Sequence, residues 1–236
     1  VDQWANTILS DPDAAQYVNG VAFHWYTGDY FDNVQKVHDS FPSQILLASE
    51  EAESVEKRGG YEDPTWEKGE HYGHDMIGDF NVFTQGYIDW NMILDTKGGP
   101  DHGGPDDCEG IISCGADAMI IADASSQTLY VQTFYWYVGH FSRYVERGSH
   151  RVCLNVTNAT SPAATTTRDD GPKYPDLESV AFLTPSNVVV VVVMNGDDES
   201  KKVSLIDLGL NVGTQQPLVL PAHSIRTFTY DNHYDN

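Results

Sequence analysis

Positive charge is scarce in this chain of 236 residues, where 13 Lys and Arg stand against 35 Asp and Glu and give a formal charge of -22. A field of that sign repels phosphate backbones, so the composition excludes nucleic acid as a partner. It also disfavours anionic membrane surfaces at neutral pH and leaves room only for transient contact in an acidic compartment, where carboxylates take up protons. The acids are spread along the chain without an acidic tail, which is typical of a solvated surface.

Long hydrophobic runs are absent as well. The most apolar stretch, Val188 to Met194, is far shorter than the roughly 20 residues that a membrane-spanning helix needs. A continuous run of valines predicts instead a strand that is buried on both faces.

Cysteine is rare too, with three residues in the chain. Cys108 and Cys114 flank a short loop and either form a disulfide, in an oxidising compartment, or stay as thiols; Cys153 is expected to be a thiol without a catalytic role. Two adjacent glycosylation sequons begin at Asn155 and Asn158, which favours a secretory route and a lysosomal or extracellular location. The chain opens at Val1 without an initiator Met or a signal peptide, so we expect it to begin partway through a larger protein.

The first half alternates short apolar runs with helical patterns, which predicts a parallel sheet with crossover helices. Strands are predicted at 20–26, 44–49, 86–94 and 117–123, and helices at 32–41, 69–85 and 126–145. Three such units cannot close a sheet, since a (β/α)8 barrel needs about 250 residues. Residues 1–148 are therefore expected to form the last three units of a TIM barrel, with the other strands supplied elsewhere. Short β runs between turn residues predict a small antiparallel β-sandwich over 149–236.

Polar and aromatic residues lie in or directly after the C-terminal parts of three predicted strands, at "HWY" (24–26), "SE" (49–50) and "DWN" (89–91). The carboxyl ends of barrel strands form the face that carries active sites, so these residues predict a pocket. Alternation along a strand places His24 and Tyr26 on one face and Trp25 on the other. The same alternation turns Glu51 away from Glu50, and we expect Glu51 and Glu53 to be solvated loop acids.

Taken together, "DPDAAQYVNGVAFHWY", "LLASE", "IDWNMIL" and "FYWYVGHFSRYVERGSHRV" resemble glycoside hydrolase family 30, and within it the glucosylceramidases. The resemblance covers nearly the whole chain, in order and at similar spacing. It implies retaining chemistry with Glu50 as the nucleophile, Tyr26 as its hydrogen-bond donor and Trp90 as a wall of the sugar site. His24, Trp25 and Asn91 are implied as scaffolding behind these groups.

One departure from the family pattern stands out. The resemblance implies an acid/base Glu in an Asn-Glu-Pro motif, and no such motif occurs in this sequence. Retaining hydrolysis needs two carboxyl groups about 5–5.5 Å apart, so the chain alone is predicted to be inactive. Its partners are then an N-terminal barrel segment that carries the second Glu and a β-glucoside or glycolipid substrate.

Metal and cofactor sites are not predicted. His71 and His74 are three residues apart on a predicted helix, but without an HExxH context we expect surface or packing roles. Asp101, His102, Asp106 and Asp107 lack the spacing of a calcium loop. Two alternatives to a glucosylceramide-type hydrolase stay open: a non-catalytic structural or carbohydrate-binding protein that keeps the barrel shape, and a β-glucanase or xylosidase of the same family.

Overall fold

The structure is a computed structural model that describes residues 1–53, 61–62, 65–99, 117–157, 174, 177–209, 212–214 and 216–233. Its first part carries the predicted strand–helix alternation. The elements, in chain order, are α1 (Asp2–Leu9), α2 (Pro12–Ala15), β1 (Gly20–His24), α3 (Phe31–Ser40), β2 (Ile45–Glu51), α4 (Trp66–Asn81) and β3 (Gly86–Asp89). The three strands are parallel and lie in the order β1-β2-β3, as crossover helices require.

Apolar residues on the helices cover one face of this sheet. Leu46, the second residue of β2, is 1% exposed and packs in one cluster with Ala5 and Leu9 of α1 and with Val34 and Val37 of α3. The spacing of three residues between the two valines places both on the same face of α3. Burial of these side chains holds α1 and α3 against one face of the sheet.

A second, smaller sheet follows, formed by β4 (Ile93–Asp95), β5 (Ile120–Asp123) and β6 (Thr128–Val131), before α5 (Thr133–Ser142). Two predictions are corrected here. The strand expected at 86–94 is interrupted between β3 and β4, and the helix expected from 126 begins only at Thr133. Residues 128–131 pair antiparallel with β5 instead, because a turn closed by Asp123 brings this β-branched and aromatic run back beside the strand.

The last part is antiparallel, as predicted. Its strands are β7 (His150–Val152), β8 (Glu178–Leu183), β9 (Val188–Asn195), β10 (Lys201–Val203), β11 (Ile206–Asp207), β12 (Val212–Gly213), β13 (Leu218–Leu220) and β14 (Ser224–Asp231). Four of them form a sheet in the order β14-β9-β8-β7, while β10 pairs with β13 and β11 with β12.

The valine run in β9 is buried on both sides, as its sequence predicted. Val190 and Val192 face a cluster that contains Met76 and Tyr137 from α4 and α5, whereas alternate residues such as Val191 belong to a separate cluster on the other face. The sandwich is thus packed directly onto the helices of the first part. In the ranges given above, no helix has the length and hydrophobicity that a bilayer crossing demands.

The parallel sheet is not a closed barrel. β1 and β3 are its outer strands, and within the described residues neither is paired on its outer side. A cleft of about 530 Å³ runs past residues 21–24 of β1. A second cleft, of about 820 Å³, is lined by Gly86, Tyr87 and Asp89 of β3. Both edges therefore adjoin open space.

Candidate active site

The ends of the three parallel strands bring the predicted site residues to one edge of the sheet. β1 runs directly into a turn of 3-10 helix, Trp25–Thr27, in place of the longer strand that was expected. His24 and Tyr26 nevertheless lie on the same side, with their rings in an edge-to-face contact at 5.7 Å, and Trp25 is buried on the other side. The structure thus agrees with the predicted orientation of this motif.

Tyr26 and Glu50 are in direct contact. The Tyr26 hydroxyl donates a hydrogen bond of 3.3 Å to Glu50 Oε1, as the resemblance implied. Burial, together with the negative charges of Glu50 and Glu51, raises the pKa of Tyr26 well above its usual value. The phenol therefore stays protonated over the whole biological pH range and remains a donor to the carboxylate.

Glu51 is the clearest error among the sequence-based predictions. Instead of being solvated, it is fully buried and accepts a hydrogen bond of 3.0 Å from the backbone N–H of Trp25. β2 continues through Glu51, and the pairing register with β1 and with β3 shifts between Ala48 and Glu51. The consecutive carboxylates lie on opposite sides of the strand end, one towards Tyr26 and one into the protein, as alternation along a strand places them.

Glu53 was also expected to be solvated and is 6% exposed. Its carboxylate contacts Nδ1 of His71 on α4, and the His71 ring stacks on the Trp25 ring at 4.1 Å. His71 is thus a buried part of the site's support and not a surface residue. Among the residues that can be described, no group of three or more His, Cys, Asp or Glu side chains is arranged to hold a metal ion.

Trp90 lies immediately after β3, with its backbone held to β2. Its N–H donates a hydrogen bond of 2.7 Å to the carbonyl of Glu51, and its half-buried side chain packs against Leu94, Ala118 and Ile121. Asn91 is half-buried at the next position. The backbone hydrogen bond therefore holds Trp90 at the end of β2, where Glu50 and Glu51 lie.

Sequence reasoning missed a hydrogen bond behind Trp90. Tyr72 of α4 is fully buried and donates to Asp89 Oδ1 at 2.6 Å. Burial raises the pKa of Asp89 to about 7, although the hydrogen bond from Tyr72 opposes the rise. Asp89 was noted only as part of the "DWN" motif, because a sequence pattern does not reveal which helix residue reaches a strand end.

A buried ion pair was missed as well. Lys68 of α4 and Asp117 are both 0% exposed at their side chains, and Lys68 Nζ is 2.5 Å from Asp117 Oδ2. The backbone N–H of Asp117 donates to the carbonyl of Glu53. The pair therefore links α4 to the residues that follow β2 and to those that precede β5. A signal was present in the sequence, since Lys68 precedes Tyr72 by four residues and shares its helix face.

The remaining site predictions fall largely outside the described residues. These are Cys108, Cys114 and Asn158, together with the loop acids and histidine at 101–107. Asn155 lies within the described part and is exposed, as a glycosylation acceptor must be. Cys153 is an exposed free thiol.

An open part of a (β/α)8 sheet, with a carboxylate at its strand ends and a β-sandwich packed on its helices, is the architecture of part of a TIM-barrel domain with an attached sandwich, in which the strand ends form the active-site face. The chain belongs to glycoside hydrolase family 30. Residues 1–145 match the glycosyl hydrolase family 30 TIM-barrel domain, and residues 148–228 match the β-sandwich domain of the same family.

Curated relatives and solved structures agree with this assignment. The chain is 31% identical to the lysosomal acid glucosylceramidase of Mus musculus over 97% of its length, and 32% identical to putative glucosylceramidase 4 of Caenorhabditis elegans over 83%. It is also similar to the crystal structure of SrfJ from Salmonella typhimurium, with a TM-score of 0.78 and 29% identity over 98% of this chain and 45% of SrfJ. The chain spans about 40% of the mouse protein and 34% of the nematode protein.

Proposed function

We propose that the chain is the nucleophile-bearing part of a retaining β-glucosidase that acts on glucosylceramide-like glycolipids. The observation that carries the proposal is the hydrogen bond from Tyr26 to Glu50, at the strand ends where the family's barrel places its chemistry. The names of the mouse and nematode relatives favour glucosylceramide as the type of substrate. The same kinship supports a lysosomal or secreted location and a place in sphingolipid metabolism.

In this mechanism Glu50 attacks the anomeric carbon and displaces the lipid alcohol, forming a glycosyl-enzyme ester. A second carboxyl group protonates the leaving oxygen and then activates the water that hydrolyses the ester. Tyr26 holds the Glu50 carboxylate in the attacking orientation, and the Trp90 ring stacks on the sugar. His24, Trp25 and Asn91 support these three groups from behind without taking part in proton transfer.

The second carboxyl group comes, in this proposal, from an N-terminal barrel segment. The chain matches about 40% of the mouse relative's length, and the clefts along β1 and β3 offer unpaired strand edges on which further strands can add. We place the boundary between barrel part and sandwich at residues 148 and 149. The chain alone is then inactive and poorly soluble, because unpaired sheet edges invite association.

The test compares the chain alone with a protein that joins it to an upstream β/α segment carrying an Asn-Glu-Pro motif. We expect the joined protein, but not the chain by itself, to hydrolyse a β-glucoside, with β-glucose as the first product in an NMR time course. Glu50→Gln should abolish turnover, while Glu199→Gln, the same change at an exposed sandwich position, should leave it unchanged. Hydrolysis by Glu50→Gln at a near-normal rate would exclude Glu50 as the nucleophile; binding without hydrolysis by the parent protein would favour a non-catalytic carbohydrate-binding role.

A further inference from the structure

Tyr72 connects the ends of two parallel strands through the middle of α4. Its ring stacks on Phe134 of α5 at 4.5 Å with an interplanar angle of 10°, and it meets the Trp25 ring edge-to-face at 4.8 Å. Its hydroxyl donates to Asp89 at 2.6 Å. The ring is therefore held between two aromatic neighbours, and the hydroxyl has a fixed position from which to hold a carboxylate.

Asp89 connects the Tyr72 hydroxyl to the end of β3. It is the last residue of β3, lies opposite Glu51 in the strand register, and is bonded directly to Trp90 in the chain. Its second carboxylate oxygen, Oδ2, is buried and accepts no hydrogen bond from the described residues. The Tyr72 hydroxyl is thus the side-chain donor that fixes the plane of this carboxyl group.

We propose that Tyr72 and Asp89 form a positioning pair that sets where the Trp90 ring stands as the wall of the sugar site. This inference deepens the proposed function and rests on it. Neither residue of the pair touches the reacting atoms. The pair anchors the end of β3 to α4 and so keeps Trp90 ordered before the sugar binds. Binding then does not include the entropy cost of ordering this side chain.

The pair should affect binding more than chemistry. A wall that stacks on the sugar contacts the ground state and the transition state alike, and the loss of such uniform binding raises KM while kcat stays nearly constant. A purely structural role for Tyr72 would instead lower thermal stability and leave the affinity of the folded protein unchanged. The two roles therefore predict different measurements.

The chain offers a matched control in Tyr87. This residue is two positions before Asp89 on β3, its ring centroid is 6.4 Å from that of Tyr72, and its buried hydroxyl makes no hydrogen bond with the described residues. Tyr87→Phe and Tyr72→Phe each remove one buried hydroxyl from neighbouring rings. Only Tyr72→Phe removes a bond to Asp89.

The experiment uses the joined protein and measures the Kd of a glucose-shaped iminosugar by calorimetry, with kcat and KM for a β-glucoside. We expect Tyr72→Phe to raise Kd and KM about tenfold, which corresponds to about 1.4 kcal/mol of binding free energy, with kcat within about threefold. Tyr87→Phe should change Kd less than about twofold. Equal effects of both variants, or a loss of thermal stability with unchanged Kd, would overturn the proposal.

Two variants at Asp89 guard against misfolding as an explanation. Asp89→Asn keeps an oxygen that accepts the Tyr72 hydrogen bond and should hold Kd within about threefold of the parent value, whereas Asp89→Ala should match Tyr72→Phe. Adding Tyr72→Phe to Asp89→Ala should weaken binding no further, and full additivity would contradict the pair. A parent protein that binds the iminosugar without hydrolysis overturns only the proposed reaction; one that does not bind it overturns both proposals.

Discussion

The hydroxyl of Tyr26 donates to the carboxylate of Glu50 across 3.3 Å, although 24 positions separate the two residues in the chain. The parallel pairing of β1 with β2 makes this contact, because it sets His24 beside Glu50 in the strand register. The 3-10 turn that follows then carries Tyr26 over the carboxylate. The nucleophile proposed for this family member is thus oriented by the neighbouring strand.

Tyr26→Phe tests that orientation. The variant keeps the ring and loses the donor, so we expect kcat/KM of the joined protein to fall about 10- to 100-fold, which corresponds to about 1.4–2.7 kcal/mol of transition-state stabilisation. Tyr30→Phe is the control, since Tyr30 follows in the same loop and is 57% exposed. Unchanged kcat/KM in Tyr26→Phe would show that Glu50 is positioned by other groups.

The buried pair of Lys68 and Asp117 makes a prediction about stability. Burial raises the pKa of Asp117, and the charge and hydrogen bond of Lys68 oppose that rise, so the carboxylate depends on its partner. Lys68→Met leaves a buried charge uncompensated and should cost about 3–5 kcal/mol. Urea unfolding of the joined protein should show a lower midpoint, and the double variant Lys68→Met/Asp117→Leu should recover most of the loss.

The exposed pair of Lys201 and Asp197 serves as the comparison for that experiment. It has the same nitrogen–oxygen distance, 2.5 Å, but its side chains are 25% and 28% exposed. Lys201→Met should therefore shift the urea midpoint much less than Lys68→Met does. Similar losses in the two lysine variants would mean that burial does not set the contribution of these pairs.

The sequence allowed the main architecture to be predicted because its signals are local. Apolar runs of strand length, helical periodicity and the change to turn-rich β segments near residue 150 each depend on neighbouring residues. The fully buried run of β9 was predicted from its valines alone. The site edge followed from the rule that parallel strands end on the same side, which brought Tyr26, Glu50 and Trp90 together in the prediction.

The errors concern contacts between distant segments. Glu51 and Glu53 were predicted to be solvated because their buried partners, the Trp25 amide and the His71 imidazole, come from the 3-10 turn after β1 and from α4. Alternation correctly turned Glu51 away from Glu50, but it does not show whether the other side of the strand is solvated or buried. Residues 128–131 were assigned to a helix since their pairing with β5 is a tertiary choice that overrides the local pattern.

His223 joins the sandwich to the barrel part through two acidic side chains. Its Nδ1 is 2.7 Å from Glu70 of α4, its Nε2 is 2.9 Å from Asp198, and its ring is parallel to that of Trp66. Burial alone would lower the pKa of His223, but the hydrogen bonds and charges of Glu70 and Asp198 outweigh it and raise the pKa above 6.5. Burial also raises the pKa of Glu70, against the influence of His223.

The raised pKa values of His223 and Glu70 both make the folded protein less stable as the pH rises. Since the folded pKa of His223 exceeds the unfolded one, its stabilisation is complete below about pH 6.5 and is lost as the pH rises through the folded value. Burial alone would lower the pKa of His74, but the charge of Glu178 and the contact with Asp29 raise it to about 10. The stabilisation that His74 gives is therefore also lost progressively as the pH rises above about 6.5. The joined protein should therefore melt at a higher temperature at pH 5.5 than at pH 8.

His223→Gln should remove part of that difference and leave the part that comes from His74. The His223 side chain is partly exposed and its charge is screened by solvent. We therefore expect the variant to lose roughly 0.5–1 kcal/mol of unfolding free energy at pH 5.5, or about 1–3 °C in Tm, and to change little at pH 8. His233→Gln is the matched control, because His233 is 75% exposed at its side chain and contacts only an exposed Asp231 among the described residues. If His223→Gln and His233→Gln give the same Tm profile between pH 5.5 and 8, the interface between sandwich and barrel part does not sense pH through His223.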